Sequence, residues 1–479
     1  MLNYVSTRGG GEPVDFAEAV LKGFADDGGM FVPQWIPRIP REQLASWRSL
    51  SFNDLAFEIL SMFIDPSIIP SEDLKDLIHA STAPFSHPDI IPVKPLGDSS
   101  HYVMELFHGP TLSFKDVAMG FLIKAMDYFL RRVGRSASLL IATTGDTGPA
   151  AAHASIGRQT IDCWVLYPRE FISEEQERQI STLEAANVHA VAVEHCPDGG
   201  DSLDMVIAEM FEDRDLVERL RLSSVNSINW GRVLFQSVHY FHGYFRVAET
   251  VGDPVAFSVP TGAFGNLFAG FLAREMGLPV AVFICANNRN AAVHRVLTTG
   301  RFSREGLKQT PSNAIDIALP YNYWRFLYFV SGRDSTAVQQ WMSQYREKEG
   351  VEFSAQMMEK ISQGFMSAAV SDEETLATIA HIFKTQGGYL LDPHGAVAVA
   401  AAAKLVRQLP KDTRVVSLLT AHPAKFPKVI RRALELDGEL PAQGLHESIE
   451  RVKSRFHRLS LCDCSILKQA LIEAMTERT

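Results

Sequence analysis

Cysteine is scarce: the five in 479 residues, Cys163, Cys196, Cys285, Cys462 and Cys464, make no CxxC pair and no zinc-ligand spacing. A disulfide-stapled scaffold and a zinc module are therefore set aside, and packing in a reducing cytoplasm is the expected role of each thiol. Long apolar runs are also missing. The longest, Ala396 to Ala403, stops at Lys404, far short of a bilayer span, so no membrane association is expected. Positive charge is in deficit, 46 Lys and Arg against 56 Asp and Glu, for a net charge of −10. No basic run offsets it, which argues against a nucleic-acid partner. Met1-Leu2-Asn3-Tyr4 shows no basic segment leading into an apolar one, so no export signal is expected. A Walker loop, HExxH and G-x-S-x-G are absent as well, and no histidine or cysteine cluster suggests a metal.

What is present starts with His108-Gly109-Pro110-Thr111-Leu112-Ser113-Phe114-Lys115-Asp116. Val103 to Phe107 reads as a strand and His108-Gly109-Pro110 as a turn. From Phe114 on, apolar residues at Val117, Ala118, Phe121, Leu122, Ala125 and Phe129 predict one buried helical face. Ser113 is the expected N-cap, and Arg131, Arg132 and Gly134 close the helix. Lys115 then stands at the positive end of the helix dipole among apolar neighbours, and both effects favour its neutral amine. Such an amine can form a Schiff base with an aldehyde. On this segment alone, an exposed first-turn lysine that only solvates the helix is the commoner case.

The length allows about three domains. Residues 1–95 read as a proline-rich helical unit with amphipathic pieces at Asp15 to Phe24 and Phe52 to Phe63. Beyond residue 100, strands alternate with helices, the habit of a parallel α/β sheet. Expected strands are Val103–Phe107, Leu139–Thr143, Cys163–Tyr167, Val188–Val193, Val255–Val259, Val280–Cys285 and Val415–Leu419. Ser173 to Gln176 and Ser371 to Glu374 read as capping boxes, and Asn229 to Glu249 as a long core helix. The expected division is 1–95, a large domain from 96–140 and 225–430, a small domain at 141–224, and a helical tail at 431–479.

Three further strand-to-helix junctions concentrate glycines and hydroxyls, where ligands of α/β sheets collect. Thr143-Thr144-Gly145-Asp146-Thr147-Gly148-Pro149 follows a buried strand, and Pro149 suits a first helical position, so backbone N–H groups would face an anion. Pro260-Thr261-Gly262-Ala263-Phe264-Gly265-Asn266 precedes a helix expected near Leu267 and could cup a phosphate with successive N–H groups. Leu419-Thr420-Ala421-His422-Pro423 offers a hydroxyl at a strand end. His394 and His422 read as structural residues or as supports of the residues that touch a ligand, not as metal ligands, and His239 with His242 as core or rim packing.

Taken together, these junctions supply what pyridoxal phosphate chemistry requires. The chain resembles threonine synthase, of the fold type II pyridoxal-phosphate enzymes, from Tyr4-Val5-Ser6-Thr7-Arg8-Gly9 to about Phe426. Asp26 to Pro33, Asn226-Ser227-Ile228-Asn229-Trp230-Gly231-Arg232, Leu391-Asp392-Pro393-His394 and Ala421-His422-Pro423-Ala424-Lys425-Phe426 also match. The resemblance implies a tryptophan-synthase-β-like architecture, two parallel-sheet α/β domains with an N-terminal helical domain, as monomer or homodimer. It implies that Lys115 carries pyridoxal 5'-phosphate and shuttles protons, that Phe114 stacks on its ring, and that Gly262, Ala263, Phe264, Gly265 and Asn266 hold its phosphate. Thr420 would meet the ring nitrogen and Asp146 the phenolic oxygen. Thr143, Thr144, Gly145 and Thr147 would bind the substrate carboxylate. Arg169, Ser173, Asn226, Ser227, Asn229 and Arg232 would grip the phosphate of a small amino-acid phosphate. The implied reaction converts O-phospho-L-homoserine and water into L-threonine and phosphate.

The chain departs from the family pattern at Ala263, usually asparagine, at Thr144, usually serine, and at Leu419, usually glycine. After Pro168 a basic pair is usual, whereas this chain has Glu170-Phe171. A threonine-synthase-like group acting as phospholyases shares the alanine and the run Pro320-Tyr321-Asn322. Two alternatives therefore stand beside threonine synthesis, a phospholyase releasing a 2-keto acid and a regulatory protein with a vestigial fold.

Overall fold

Strands such as Ala137–Ala142 and Val255–Pro260 are buried at every position. A strand apolar on both faces needs cover on both, and helices returning between parallel strands provide it. The computed structural model describes residues 2–97, 100–348, 350–458 and 460–478. All seven expected strands form within a few residues of their expected limits.

They sort into two sheets. The larger runs Phe365–Ala369, Val280–Asn287, Val255–Pro260, Arg414–Leu419, His101–Glu105 and Val93–Pro95. It is parallel except for its last strand, which turns back antiparallel on His101–Glu105. The smaller runs Ser460–Asp463, Val188–Glu194, Ile161–Pro168, Ala137–Ala142 and Leu222–Ser223, parallel throughout. The edge strands Val93–Pro95 and Phe365–Ala369 escape the sequence pattern because one is three residues long and the other is largely small residues.

The helix Trp230–Val247 buries every residue except Arg246. Asn229 caps it, accepting the Gly231 N–H at 3.0 Å. Phe52 and Phe121 meet its Phe235, and Phe257 of the large sheet meets its Tyr240 edge-on. Aromatic pairs at such separations add about 0.5–1.5 kcal/mol each beyond burial. The N-terminal stretch is fastened to the same core, with the Tyr4 ring 5.9 Å from that of Trp230 and the Tyr128 hydroxyl donating to Asp73 at 2.7 Å. Both expected capping boxes form, at Ser173 with Gln176 and at Ser371 with Glu374. No helix among the described residues is long and apolar enough to cross a membrane.

Helix starts differ from expectation in three places. Phe114, not Ser113, occupies the N-cap position of the helix Lys115–Val133, although the Ser113 hydroxyl accepts the Lys115 N–H at 3.3 Å. The helix after the Asp146 loop begins at Thr147, two residues before Pro149, and the one expected near Leu267 begins at Gly265. The tail is not helical throughout. Ser460–Asp463 pairs with Val188–Glu194, and the helix Leu467–Thr476 then buries Leu467, Leu471 and Met475 in one apolar cluster with Leu140, Trp164 and Leu203. A four-residue strand has too short a period to read from sequence. Because Leu467 is fully buried, Leu467→Ala is expected to destabilise the protein by about 2–4 kcal/mol in denaturant unfolding.

Candidate active site

The turn that presents Lys115 is stapled by its neighbour. Asp116 accepts the Thr111 N–H at 2.9 Å and the Thr111 hydroxyl at 2.7 Å. Leu112 sits at φ +59°, a left-handed conformation that costs a leucine energy and needs such a clamp. Burial pushes the Asp116 carboxyl up to about 6, against the Thr111 hydrogen bonds. Lys115 emerges at the first helical position, its amine 4.4 Å from the centroid of the Phe114 ring.

Four strand ends converge on one cavity. Phe114 and Lys115 come from the first, Thr143, Thr144, Asp146 and Thr147 from the second, Pro260 to Leu267 from the third, and Thr420 from the fourth. Thr420 is held by its carbonyl, which accepts the Phe114 N–H at 2.8 Å. The second loop is shaped by Thr143, whose hydroxyl accepts the N–H groups of Gly145 and Gly148 at 3.0 and 2.9 Å. Gly145 itself lies at φ +123°, where a Cβ would fall 2.4 Å from the Gln176 amide. In the third loop Phe264 adopts φ +65° at the N-cap of the helix Gly265–Glu275, so the start of that helix lines the cavity without a side-chain cap. A Cβ on Gly262 would sit 2.9 Å from Ile315 Cα, so the loop lies tight against the 313–315 turn.

Arg232 dominates the charge of the cavity. It is buried, donates Nη1 to the Val225 carbonyl at 3.0 Å, and leaves Nε and Nη2 without partners. Burial lowers its guanidinium to about 10. Lys115 is lowered to about 7, first by burial, then by Arg232; Asp146 opposes the shift and Lys425 adds to it. Asp146 is held below its ordinary range despite burial, because Lys425 stands 2.6 Å away. Asp204 also lines the cavity, and burial with Asp201 nearby pushes it up to about 8.

Of the expected site residues, the cavity gathers Phe114, Lys115, Thr143, Thr144, Asp146, Thr147, Asn226, Ser227, Arg232, Thr420 and the run from Gly262 to Asn266. Four stand elsewhere. Arg169 is a surface residue, paired with Glu194 at 2.9 Å and Glu177 at 3.7 Å. Ser173 caps its helix and donates to the Lys425 carbonyl at 3.0 Å. Asn229 spends its amide on the carbonyls of Val20 and Ser224. Gly145 shapes the loop without lining the cavity. Phe171 does not face the cavity either; it packs beside Gly199. His394, read as structural or as a support of the site, lines the wall, with Nδ1 on Asp392 at 2.8 Å and Nε2 accepting the Ala314 N–H at 3.1 Å. Asp204, Gln236 and the Ala314–Ile315 turn are further lining residues that carry no local sequence signal.

A buried lysine, a glycine-rich helix start and a hydroxyl meet at the carboxyl ends of parallel strands, and the model of the pyridoxal-phosphate-dependent enzymes matches residues 91–421. Models described as "Threonine synthase N terminus" and "Threonine synthase, C-terminal" match residues 3–82 and 395–470. The threonine synthase of Pseudomonas aeruginosa is 38% identical over 448 residues, covering 93% of this chain and 92% of the relative. Threonine synthase-like 2 of Xenopus laevis is 38% identical over 480 residues, covering 100% and 99%. The crystal structure of pyridoxal-phosphate-bound threonine synthase from Brucella melitensis superposes with a TM-score of 0.90 at 35% identity, covering 100% of this chain and 99% of that one. The chain belongs to the threonine synthase family of pyridoxal-phosphate-dependent enzymes.

The lowered Lys115 amine has a consequence for stability. Its value is about 7 in the folded chain against 10.5 when exposed, so the unfolded chain binds more protons between those values and stability rises with pH across that window. In the cofactor-free protein, Lys115→Met is expected to raise the melting temperature at pH 7, with the gain shrinking toward pH 10.5.

Proposed function

We propose that this chain converts O-phospho-L-homoserine and water into L-threonine and phosphate, with pyridoxal phosphate bound at Lys115. The observation that carries the reading is Arg232, a buried guanidinium on the cavity wall with two unpartnered nitrogens. Such donors are costly unless an anion completes them, and a phosphate monoester does so with charge-assisted hydrogen bonds.

The residues fit the cofactor. The N–H groups of Gly262 to Asn266 at a helix N-terminus suit its phosphate, the Phe114 ring suits its flat heterocycle, and Thr420 its ring nitrogen. Asn266 Oδ1 accepts from His239 and from Tyr240 while Nδ2 is left without a partner. Ala263 is compatible with this role, because the cup is made of backbone. The cofactor, when bound, supplies an electron sink for carbanions next to the substrate amino group. The protein does the rest. Lys115 Nζ, lowered to about 7 and so partly neutral at that pH, is able to take a proton from a substrate carbon and return it at another. Thr143, Thr144 and Thr147 offer hydroxyls and N–H groups to the substrate carboxylate at the start of a helix. Arg232, Asn226 and Ser227 receive the leaving phosphate as it departs from Cγ, and water then adds at Cβ.

A second reading rests on Asn322 of the Pro-Tyr-Asn run, whose Nδ2 donates to Ser227 Oγ at 3.0 Å and to the Ala263 carbonyl at 3.2 Å. It ties the phosphate cup to the substrate wall in a phospholyase-like relative that would release a 2-keto acid. Incubation of the purified protein with O-phosphohomoserine is expected to give threonine and phosphate in equal amounts; keto acid without threonine would establish the second reading instead. Arg232→Met is expected to lower kcat/KM by about 30-fold, the worth of one charge-assisted contact. Lys115→Ala is expected to abolish both turnover and the visible absorbance of bound cofactor.

A further inference from the structure

The loop assigned to the substrate carboxylate contains a carboxylate of its own. Asp146 lies in the cavity wall, 2% exposed. Unpaired, it would repel an anionic ligand and draw a proton onto Lys115. Lys425 answers it. This lysine is fully buried, with Nζ 2.6 Å from Asp146 Oδ1 and a second hydrogen bond to the Thr111 carbonyl at 3.1 Å. Gln176 Nε2 donates to the same Asp146 oxygen at 3.0 Å. The contact to Thr111 reaches the reactive amine, because Thr111 is the residue that Asp116 clamps beside Lys115.

We propose that Lys425 is a positioning residue for Lys115: by cancelling the Asp146 carboxylate and fixing the Thr111 turn, it stops the cavity from storing a proton on the Lys115 amine. The charged and titratable groups facing that amine come from every packed element. Arg232 and Lys425 repel its ammonium form and Asp146 attracts it. Asp204 lines the far wall, and Asp116 follows on the same helix. His394 has one ring nitrogen on Asp392 and accepts an N–H with the other. Among these groups Asp146 and Lys425 act on the amine with opposite sign while touching each other, so removing them separately moves Lys115 in opposite directions.

The inference rests on Lys115 being the amine that takes the cofactor, and not on which substrate is turned over. Its test needs no substrate, so its failure leaves the proposed reaction standing. The full-length chain is freed of cofactor, and the rate of Lys115 acetylation by an N-hydroxysuccinimide ester is followed against pH by peptide mass spectrometry. Below the wild-type midpoint, Asp146→Asn should label about fivefold faster and Lys425→Met about fivefold slower, while the double variant should fall within about twofold of wild type. Should Lys425→Met fail to fold by circular dichroism, Asp146→Asn and the double variant still decide. A purely structural role for Lys425 would move melting temperatures and leave the labelling profile of the double variant on that of Asp146→Asn. Coincident profiles for wild type, Asp146→Asn and the double variant would overturn the inference.

Discussion

One buried ammonium joins three strand ends. Lys425 follows the strand Arg414–Leu419, bonds the carbonyl of the turn after His101–Glu105, and pairs with the carboxylate of the loop after Ala137–Ala142. The first two strands belong to the large sheet and the third to the small one, so the contact fixes the two sheets against each other where the cavity opens between them. Burying both charges is expensive, and such a pair is weak evidence for net stability. Its asymmetry is informative: deleting one partner of a buried pair costs about 3–5 kcal/mol, because the other is left uncompensated. Geometry is what the chain gains, since three loops that must meet a single small molecule are held by one point.

Around that point the cavity gathers cationic side chains and a helix start about an amine lowered to about 7. Arg232 offers unpartnered nitrogens, and the Phe264 turn lines the same space. Burial first, and then the same positive surroundings, loosen the proton on Lys115. In the proposed function, recognition of a phosphate and readiness of the amine both draw on these cations, with burial contributing most to the second. Asn322, bridging Ser227 and Ala263, couples the two anion sites mechanically.

Much of this was legible where the chemistry lies in contiguous residues. A buried strand, a glycine turn and a helix entered by a lysine can be read from His108 to Asp116, and the glycine loops at Gly145 and Gly262 sit where ligands of parallel sheets gather. What stayed hidden are contacts between distant parts of the chain. Thr111 and Lys425 are 314 positions apart, and Ala314 and His394 are 80 apart. Ser173 shows the opposite error. Its capping box was plain in the sequence, and a hydroxyl that caps a helix is not free to bind a phosphate. Arg169 failed for want of burial, because sequence does not say which arginines reach solvent and pair there. The tail strand Ser460–Asp463 failed because pairing, and not its own pattern, makes it a strand.

Burial, helped by flanking cations, makes Lys115 titrate close to neutrality. The ε-carbon of Lys115 reports this by NMR against pH in the full-length, cofactor-free chain carrying labelled lysine, with Lys115→Met assigning the signal. A midpoint near 7 agrees with the account. A midpoint at the exposed value of 10.5 would contradict it.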